Sequence, residues 1–267
     1  MDNWALAIGL VSLSVSPVYG YVGNRLRLRP VPAHAQLASA QFTAWWWGLG
    51  ASTAVSGVEG ILWSFHALSL PLAVTFLTFS GILDCVFLWG LLGYLTYLYT
   101  GRNLLLEWSV FYSIFFLAFV YYVNAVDPIG VAAKNGIPSV TFAVSPFNAG
   151  PVVIFVVIGL VVPELAGIVL YFSLIRRTSD RTLRYRIALV TLSLAVFFGI
   201  SFYTPPGNLI SPLAWNLARA LIEAGSSLIC LIAYLPPAGV RRWLRIDPIA
   251  GPEGASGKTR QAPRAAG

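Results

Sequence analysis

The chain has 267 residues, of which 57% are hydrophobic and 10% are charged, and its formal net charge is +7. Soluble domains carry about 25% charged residues, so this composition excludes an ordinary soluble protein and predicts a multi-pass protein of the cell membrane. The basic residues lie in short segments between apolar runs. This placement disfavours nucleic acid as a partner and indicates topology signals in contact with the lipid bilayer.

Seven apolar segments reach the length of about 20 residues that a membrane-spanning helix needs. We therefore predict an all-α bundle over residues 1–245 and a disordered cytoplasmic tail over 246–267, which is rich in Gly, Pro and Ala. Between the fourth and fifth spans, residues 127–150 fit either a short β-hairpin or an irregular loop. In chain order, the predicted spans are residues 4–22, 39–63, 69–99, 105–126, 151–175, 184–203 and 209–235.

The arginines set the expected orientation of these spans. If the N-terminus lies outside, the inner loops and the tail contain fifteen basic residues, and the outer loops contain only Lys134. Basic residues concentrate on the cytoplasmic side of membrane proteins. The sequence therefore predicts that the N-terminus is outside and the C-terminus inside, which also requires an odd number of spans.

Five charged residues fall more than three residues from either end of a predicted span, where each costs several kcal/mol (about 2.5–3.5 on insertion scales) and tends to be functional. Arg219 and Glu223 are four residues apart on one face of the last span, and Asn216 extends that face. The other three are Asp84 in the third span, Glu164 after Pro163 in the fifth, and Glu59 in the outer third of the second.

One arginine cannot balance four carboxylates in a low-dielectric interior, so at least one carboxyl is expected to be protonated at neutral pH. One hypothesis is that these residues form a polar, proton-sensitive central cavity that binds protons or an unknown small ligand. The alternative is a structural network of hydrogen bonds that locks the bundle. Both remain open at this point, and they are compatible with each other.

Several chemistries find no support in the sequence. His34 and His66 are predicted on opposite sides of the membrane, which argues against a histidine metal site, and we predict neither a metal site nor a set of catalytic residues. A retinal protein needs a lysine in its last helix. The last span has none, so we expect no retinal, and we predict no other cofactor. The tryptophans at 45–47 are expected to pack or to anchor at the interface rather than to bind a ligand.

The layout also resembles a known module. Its markers are Tyr99-Thr100-Gly101-Arg102 after the run 88–94, Arg184-Tyr185-Arg186 before the sixth span, and the start of the last span at 209–214. Together they resemble the seven-helix sensor region at the N-terminus of many prokaryotic histidine kinases. Members of that family continue into a cytoplasmic signalling domain, whereas this chain ends in a short tail, so the resemblance implies a stand-alone sensor with a separate signalling partner. The residues expected to contact that partner, or lipid, are Arg176, Arg177, Arg181, Arg184, Arg186, Arg241 and Arg242.

The sequence thus favours a receptor-like sensor without enzymatic activity. A transporter for a small solute or protons is the alternative, motivated by the charges at mid-span and by Pro163. A membrane enzyme acting on a lipid comes third, because no pairing of a nucleophile with a base is visible.

Overall fold

The computed structural model describes residues 3–28, 30–125, 128–134, 136–143, 157–202 and 210–244. Within these ranges the chain is mostly helical, with a hairpin of strands β1 (Pro128–Lys134) and β2 (Ile137–Phe142) and a 3₁₀ turn at Ala33–Ala35. A π-helical turn, Val157–Val161, runs directly into α5. The helices are α1 (Asn3–Arg27), α2 (Gln36–Ser64), α3 (Leu70–Thr100), α4 (Leu105–Ala125), α5 (Val162–Arg177), α6 (Arg181–Phe202), α7 (Pro212–Tyr234) and α8 (Ala238–Leu244).

Five helices are both long and apolar enough to cross a membrane: α1, α3, α5 with its π-helical turn, α6 and α7. The chain is therefore a multi-pass membrane protein. A helix also lies at each of the other two predicted segments. Neither meets both conditions. Helix α2 is long enough but contains many Gln, Ser, Gly and Trp residues, and α4 has a shorter apolar stretch, Leu105–Tyr121. The predicted segments 151–156 and 203–209, and the predicted tail, lie outside the described residues.

Local chemistry fixes several helix ends. The Ser211 side chain accepts a hydrogen bond from the Ala214 amide at 3.2 Å, and Pro212 occupies the first position of α7. The Asp180 carboxylate accepts a bond from the Leu183 amide at 2.7 Å and so caps α6. Gly101 ends α3 with φ +66°, a left-handed conformation that glycine adopts without steric cost.

The helices form a ring in the order α1, α2, α3, α5, α6 and α7, which closes where α7 packs against α1, and α4 packs mainly against α3. We call one end the Arg-rich end: α1, α3, α5 and α7 finish there and α2, α4 and α6 begin there. The opposite end is the hairpin end. Among the basic residues at the Arg-rich end are Arg25, Arg27, Arg102, Arg176 and Arg177.

The core is aromatic and lies in the half of the ring nearer the Arg-rich end. Trp45 and Trp46 of α2 are fully buried, and their ring centroids lie 6.1 Å from Tyr171 of α5 and 5.8 Å from Tyr234 of α7, respectively. The expectation that these two tryptophans pack is confirmed. Trp47 is partly exposed, and the Arg27 guanidinium lies 5.6 Å from its ring centroid.

Glycines allow the helix backbones to approach closely, as is common between membrane helices. A Cβ added at Gly57 of α2 would lie 2.7 Å from the Leu13 amide nitrogen of α1. A Cβ at Gly90 of α3 would lie 2.5 Å from the Gln41 carbonyl oxygen of α2. The contacts of α2 with both neighbours therefore require glycine at these positions, because any side chain there would clash with the neighbouring backbone.

The segment after α4 forms an antiparallel hairpin in which Val131 pairs with Val140 and Lys134 with Ile137. Of the two alternatives for residues 127–150, the hairpin is confirmed over the described part. Gly136 in its turn has φ +79°, and a Cβ added there would lie 3.0 Å from Leu213 of α7 and 3.3 Å from Ile8 of α1. The turn therefore sits between the first turns of α1 and α7 and covers that part of the hairpin end.

Candidate functional site

Two of the predicted site residues, Asp84 and Glu164, come together between α3 and α5. They lie close enough for their charges to interact, and both are partly buried. The Ser52 hydroxyl of α2 donates a hydrogen bond to Asp84 Oδ1 at 3.1 Å. The buried Tyr112 of α4 lies within electrostatic range of Glu164. Four helices therefore meet around this pair of acids.

The other predicted pair lies on α7. Arg219 Nε donates to Glu223 Oε1 at 2.9 Å, and the two side chains are 35% and 17% exposed. This ion pair is the i, i+4 contact that the sequence predicted. Tyr19 of α1 lies within electrostatic range of Glu223. The ion pair is thus linked to α1 as well as to its own helix.

A chain of hydrogen bonds also ties α7 to α6. The Cys230 thiol donates to the Ser193 hydroxyl, with 2.9 Å between sulfur and oxygen, and that hydroxyl donates to the Ser226 carbonyl oxygen at 2.8 Å. Both serines and the cysteine are buried. The polar face predicted for the last span therefore turns inward and holds α6 and α7 in register through side chains.

The predicted site residues accordingly form two groups. Within the described part of the chain, no hydrogen bond or ion pair joins Asp84 and Glu164 to Arg219 and Glu223. Glu59 is half-buried nearer the hairpin end, and Asn216 lies one turn before Arg219. The structure thus brings four of the predicted residues together as two pairs, Asp84 with Glu164 and Arg219 with Glu223, in different parts of the bundle.

The arginines predicted to contact a partner lie at the Arg-rich end. Arg181, Arg241 and Arg242 are exposed, and the last two belong to α8, a helix that the sequence reasoning missed. Arg184 donates two hydrogen bonds to the Thr178 carbonyl oxygen and closes the loop between α5 and α6. The guanidinium groups of Arg176 and Arg177 lie over the rings of Phe172 and Tyr99, at 4.9 and 5.3 Å from their centroids.

Arg186 has a different setting, because it lines a cavity of about 370 Å³ that opens at the Arg-rich end. Six helices and the segment around Pro30–Pro32 contribute to the wall, which includes Phe42, Tyr171 and Tyr234. A second, shallower cavity of about 510 Å³ adjoins the first, and the two share Val31 and Ser39. We call these the inner cavity and the lateral cavity.

Several buried polar groups have no hydrogen-bond partner among the described residues. They are both amide atoms of Gln41, the indole nitrogens of Trp45 and Trp46, and the hydroxyls of Tyr112 and Tyr171. Burying such a group without a partner costs roughly 1–3 kcal/mol, so each is suited to bind water or a ligand. Gln41 and Trp45 are four residues apart and so lie on one face of α2. The sequence reasoning missed Tyr171, because an isolated tyrosine in an apolar run carries no positional signal.

No family model matches the chain, and no curated protein matches it. The site must therefore be interpreted from its own chemistry. In the part of the chain that the structure describes, no group of three or more His, Cys, Asp or Glu side chains is placed to hold a metal ion.

Proposed function

We propose that this protein is a receptor-like signalling module of seven transmembrane helices, with its N-terminus outside and its C-terminus in the cytoplasm. The Arg-rich end then faces the cytoplasm, in line with the positive-inside rule, and the hairpin faces outward. In this proposal α2 and α4 also span. The 29 residues of α2 extend about 43 Å at 1.5 Å per residue, which exceeds the hydrocarbon thickness of about 30 Å.

The observation that carries the signalling role is the connectivity of α7. It holds the Arg219–Glu223 ion pair and the hydrogen-bonded link to α6, and Tyr19 of α1 lies within electrostatic range of Glu223. After Pro236 and Pro237 the chain continues directly into α8, which has exposed arginines and an exposed tryptophan, Trp243. A shift of α7 inside the bundle would therefore move a basic helix at the cytoplasmic face.

A helix such as α8 suits both a membrane surface and a partner. Its arginines attract anionic lipid headgroups or acidic protein surfaces, and Trp243 favours the membrane interface. The resemblance to the sensor region of prokaryotic histidine kinases agrees with this role. We propose that the output passes to a separate cytoplasmic protein through α8 and the exposed arginines at the end of α5 and the start of α6.

The experiment measures coupling between the interior of α7 and α8. An environment-sensitive fluorophore is attached to a Gly239→Cys variant whose native cysteines are replaced (Cys85→Ala and Cys230→Ser), because a Cβ at Gly239 meets no atom within 4 Å. In lipid nanodiscs, Glu223→Gln should shift the emission of this label. The matched control, Glu59→Gln, also neutralises a half-buried acid but lies on α2, and it should leave the label unchanged.

Transport is the second candidate, and one observation favours it. The acids Asp84 and Glu164 form a pair at mid-span, and Glu164 follows a π-helical turn, a feature that is frequent at functional sites. Proteoliposomes that contain a pH-sensitive dye separate the two functions. The signalling proposal expects no proton flux above that of empty vesicles. A flux that collapses in Asp84→Asn would overturn it in favour of a proton-coupled transporter.

A further inference from the structure

We infer that Asp84 and Glu164 form a binding site for a dehydrated monovalent cation such as Na⁺, with the Ser52 hydroxyl oxygen as a further ligand. The inference goes beyond the proposed function, since it assigns a ligand to the acid pair and holds for a receptor as well as for a transporter. The binding can be measured on the whole purified protein without any signalling output.

The acid pair has no basic partner in the described part of the chain. Neither Asp84 nor Glu164 takes part in an ion pair there, and Asp84 accepts its one hydrogen bond from the neutral Ser52. Helices α2, α3 and α4 contain no arginine or lysine. In α5 the nearest basic residue, Arg176, comes twelve residues after Glu164, about 18 Å along the helix. Protons or a bound cation must therefore balance the two carboxylates at this depth.

The packing of α3 and α5 brings the two acids to neighbouring levels. These helices run parallel, and a Cβ added at Gly167 would lie 3.1 Å from Leu91 Cδ2. Seven residues earlier in each helix, Asp84 is opposite Leu160, so Glu164 lies about four residues, or roughly 6 Å, nearer the Arg-rich end. Helical side chains lean toward the N-terminus of their helix, so the longer Glu164 side chain extends toward the level of Asp84. The two carboxylates therefore converge where α3 meets α5.

The groups around the pair offer hard oxygen ligands. The Ser52 hydroxyl donates its hydrogen to Asp84 Oδ1 at 3.1 Å, which leaves the lone pairs of its own oxygen free to bind a cation. Pro163 has no amide hydrogen, so one carbonyl of the π-helical turn Val157–Val161 lacks its helical donor. Carboxylate, hydroxyl and freed backbone carbonyl oxygens are the ligands that hard cations such as Na⁺ prefer.

A buried hydroxyl beside the pair independently indicates a ligand. Tyr112 of α4 is 4% exposed, and its hydroxyl has no hydrogen-bond partner in the described part of the chain. It lies within electrostatic range of Glu164 and of Cys85, the residue that follows Asp84. Where a cation holds the carboxylates ionised, an oxygen that does not bind the ion accepts the hydrogen bond of this hydroxyl. The hydroxyl is thus suited to complete the site around an ion.

The aromatic face of α4 covers the pair and favours an ion without its water shell. A Cβ added at Gly81 of α3 would lie 2.5 Å from Phe119 Cε1, and a Cβ added at Gly159 would overlap the Phe115 ring. Mg²⁺ keeps several waters, and Ca²⁺ takes six to eight oxygen ligands, so an enclosed site with two acids suits neither. The cost of removing water also rises with the square of the ionic charge, which favours a monovalent cation.

The test measures binding of ²²Na⁺ by the whole protein in nanodiscs of neutral lipid, in choline chloride buffer at alkaline pH, with empty nanodiscs as the blank. We expect saturable binding that unlabelled NaCl displaces and that additional choline chloride does not. Asp84→Asn and Glu164→Gln should each weaken binding about tenfold or more, and Ser52→Ala about threefold. Glu59→Gln is the matched control, because it neutralises a half-buried acid of α2 outside the pair, and it should bind as the parent does.

Thermal unfolding provides a second readout and checks that each variant is folded. A ligand that binds the folded state raises the unfolding temperature. Exchange of choline for Na⁺ should therefore stabilise the parent and Glu59→Gln, and it should have no effect on Asp84→Asn. Should Asp84→Asn fail to fold, the affinities of Glu164→Gln and Ser52→Ala still decide the outcome.

Three results would overturn the inference. The absence of saturable Na⁺ binding would leave protons as the balancing charge. An equal loss of affinity in Glu59→Gln and Asp84→Asn would show general attraction to acidic charge. Displacement by Ca²⁺ at lower concentrations than by Na⁺ would contradict the monovalent assignment. If Na⁺ fails to bind while Glu223→Gln still shifts the α8 label, only this inference is lost; if Na⁺ binds and that label never responds, only the signalling proposal is lost.

Discussion

Gly90 provides a sharp test of how α2 and α3 pack. In Gly90→Ala, the new Cβ would lie 2.5 Å from the Gln41 carbonyl oxygen and 2.7 Å from the Trp45 amide nitrogen. Real Cβ atoms essentially never approach other heavy atoms closer than 3.0 Å, so one backbone must move by at least half an ångström. Neither contact is the end of a flexible side chain that could turn away.

The expected cost follows from two opposing terms. Overpacking a well-packed interface typically costs about 1–3 kcal/mol, and the rigid backbone contact places Gly90→Ala in the upper part of that range. Replacing glycine with alanine in a helix stabilises the helix by about 1 kcal/mol, which offsets part of this cost. We therefore expect Gly90→Ala to lower the free energy of unfolding by about 1–2 kcal/mol.

Gly20→Ala is the matched control for this variant. It makes the same chemical change in α1, where an added Cβ meets no atom within 4 Å. Both variants receive the helix-propensity gain, so the difference between them isolates the packing cost, which should be about 2–3 kcal/mol. Reversible unfolding in detergent with increasing SDS, followed by tryptophan fluorescence, measures both. Equal stability of the two variants would refute the close approach of α2 and α3.

Three further predictions use the same unfolding assay or hydrogen exchange. Arg219→Gln should destabilise the protein by about 1 kcal/mol, since it leaves Glu223 without its partner, and Arg219→Gln/Glu223→Gln should recover part of the loss; strict additivity would contradict the ion pair. Ser193→Ala should cost roughly 0.6–1.7 kcal/mol by breaking the link between α6 and α7, and Thr191→Ala should cost less, because its hydroxyl bonds to Ile187 within α6. Gly136→Ala should increase amide exchange across the hairpin, because φ is +79° and Leu213 is close, whereas Gly130→Ala should not; equal protection in both variants would count against the described turn.

The positions of the helices were predictable because they depend on hydropathy and on the proline and glycine residues that mark the helix ends. The apolar runs located a helix at all seven predicted segments, and the ends agree within a few residues wherever they are described. For α1 the prediction ended at residue 22, whereas the helix continues to Arg27 through a basic stretch. The short α8 was missed because the prediction rested on apolar runs of about 20 residues, and α8 has only seven residues.

The candidate site was predictable only in part. The Arg219–Glu223 pair follows from a spacing of four residues within one helix, which the sequence displays directly. The proximity of Asp84 and Glu164, and the separation of these acids from Glu223, depend on how α3, α5 and α7 pack. A single sequence contains no signal for that packing. The inner cavity could not be predicted either, because six helices must assemble before Tyr171 and Arg186 line the same cavity.

The central claim is a bundle of seven spans with the N-terminus outside, and cysteine accessibility tests it most directly. Single cysteines replace exposed residues outside the helices in the variant without native cysteines, and intact cells are treated with a membrane-impermeant maleimide. We predict that cysteines at Ser69 and Ser139 react in intact cells, and that cysteines at Asn103 and Ser179 react only after permeabilisation. Labelling of Asn103 or Ser179 in intact cells, or protection of Ser69 or Ser139, would contradict the proposed topology.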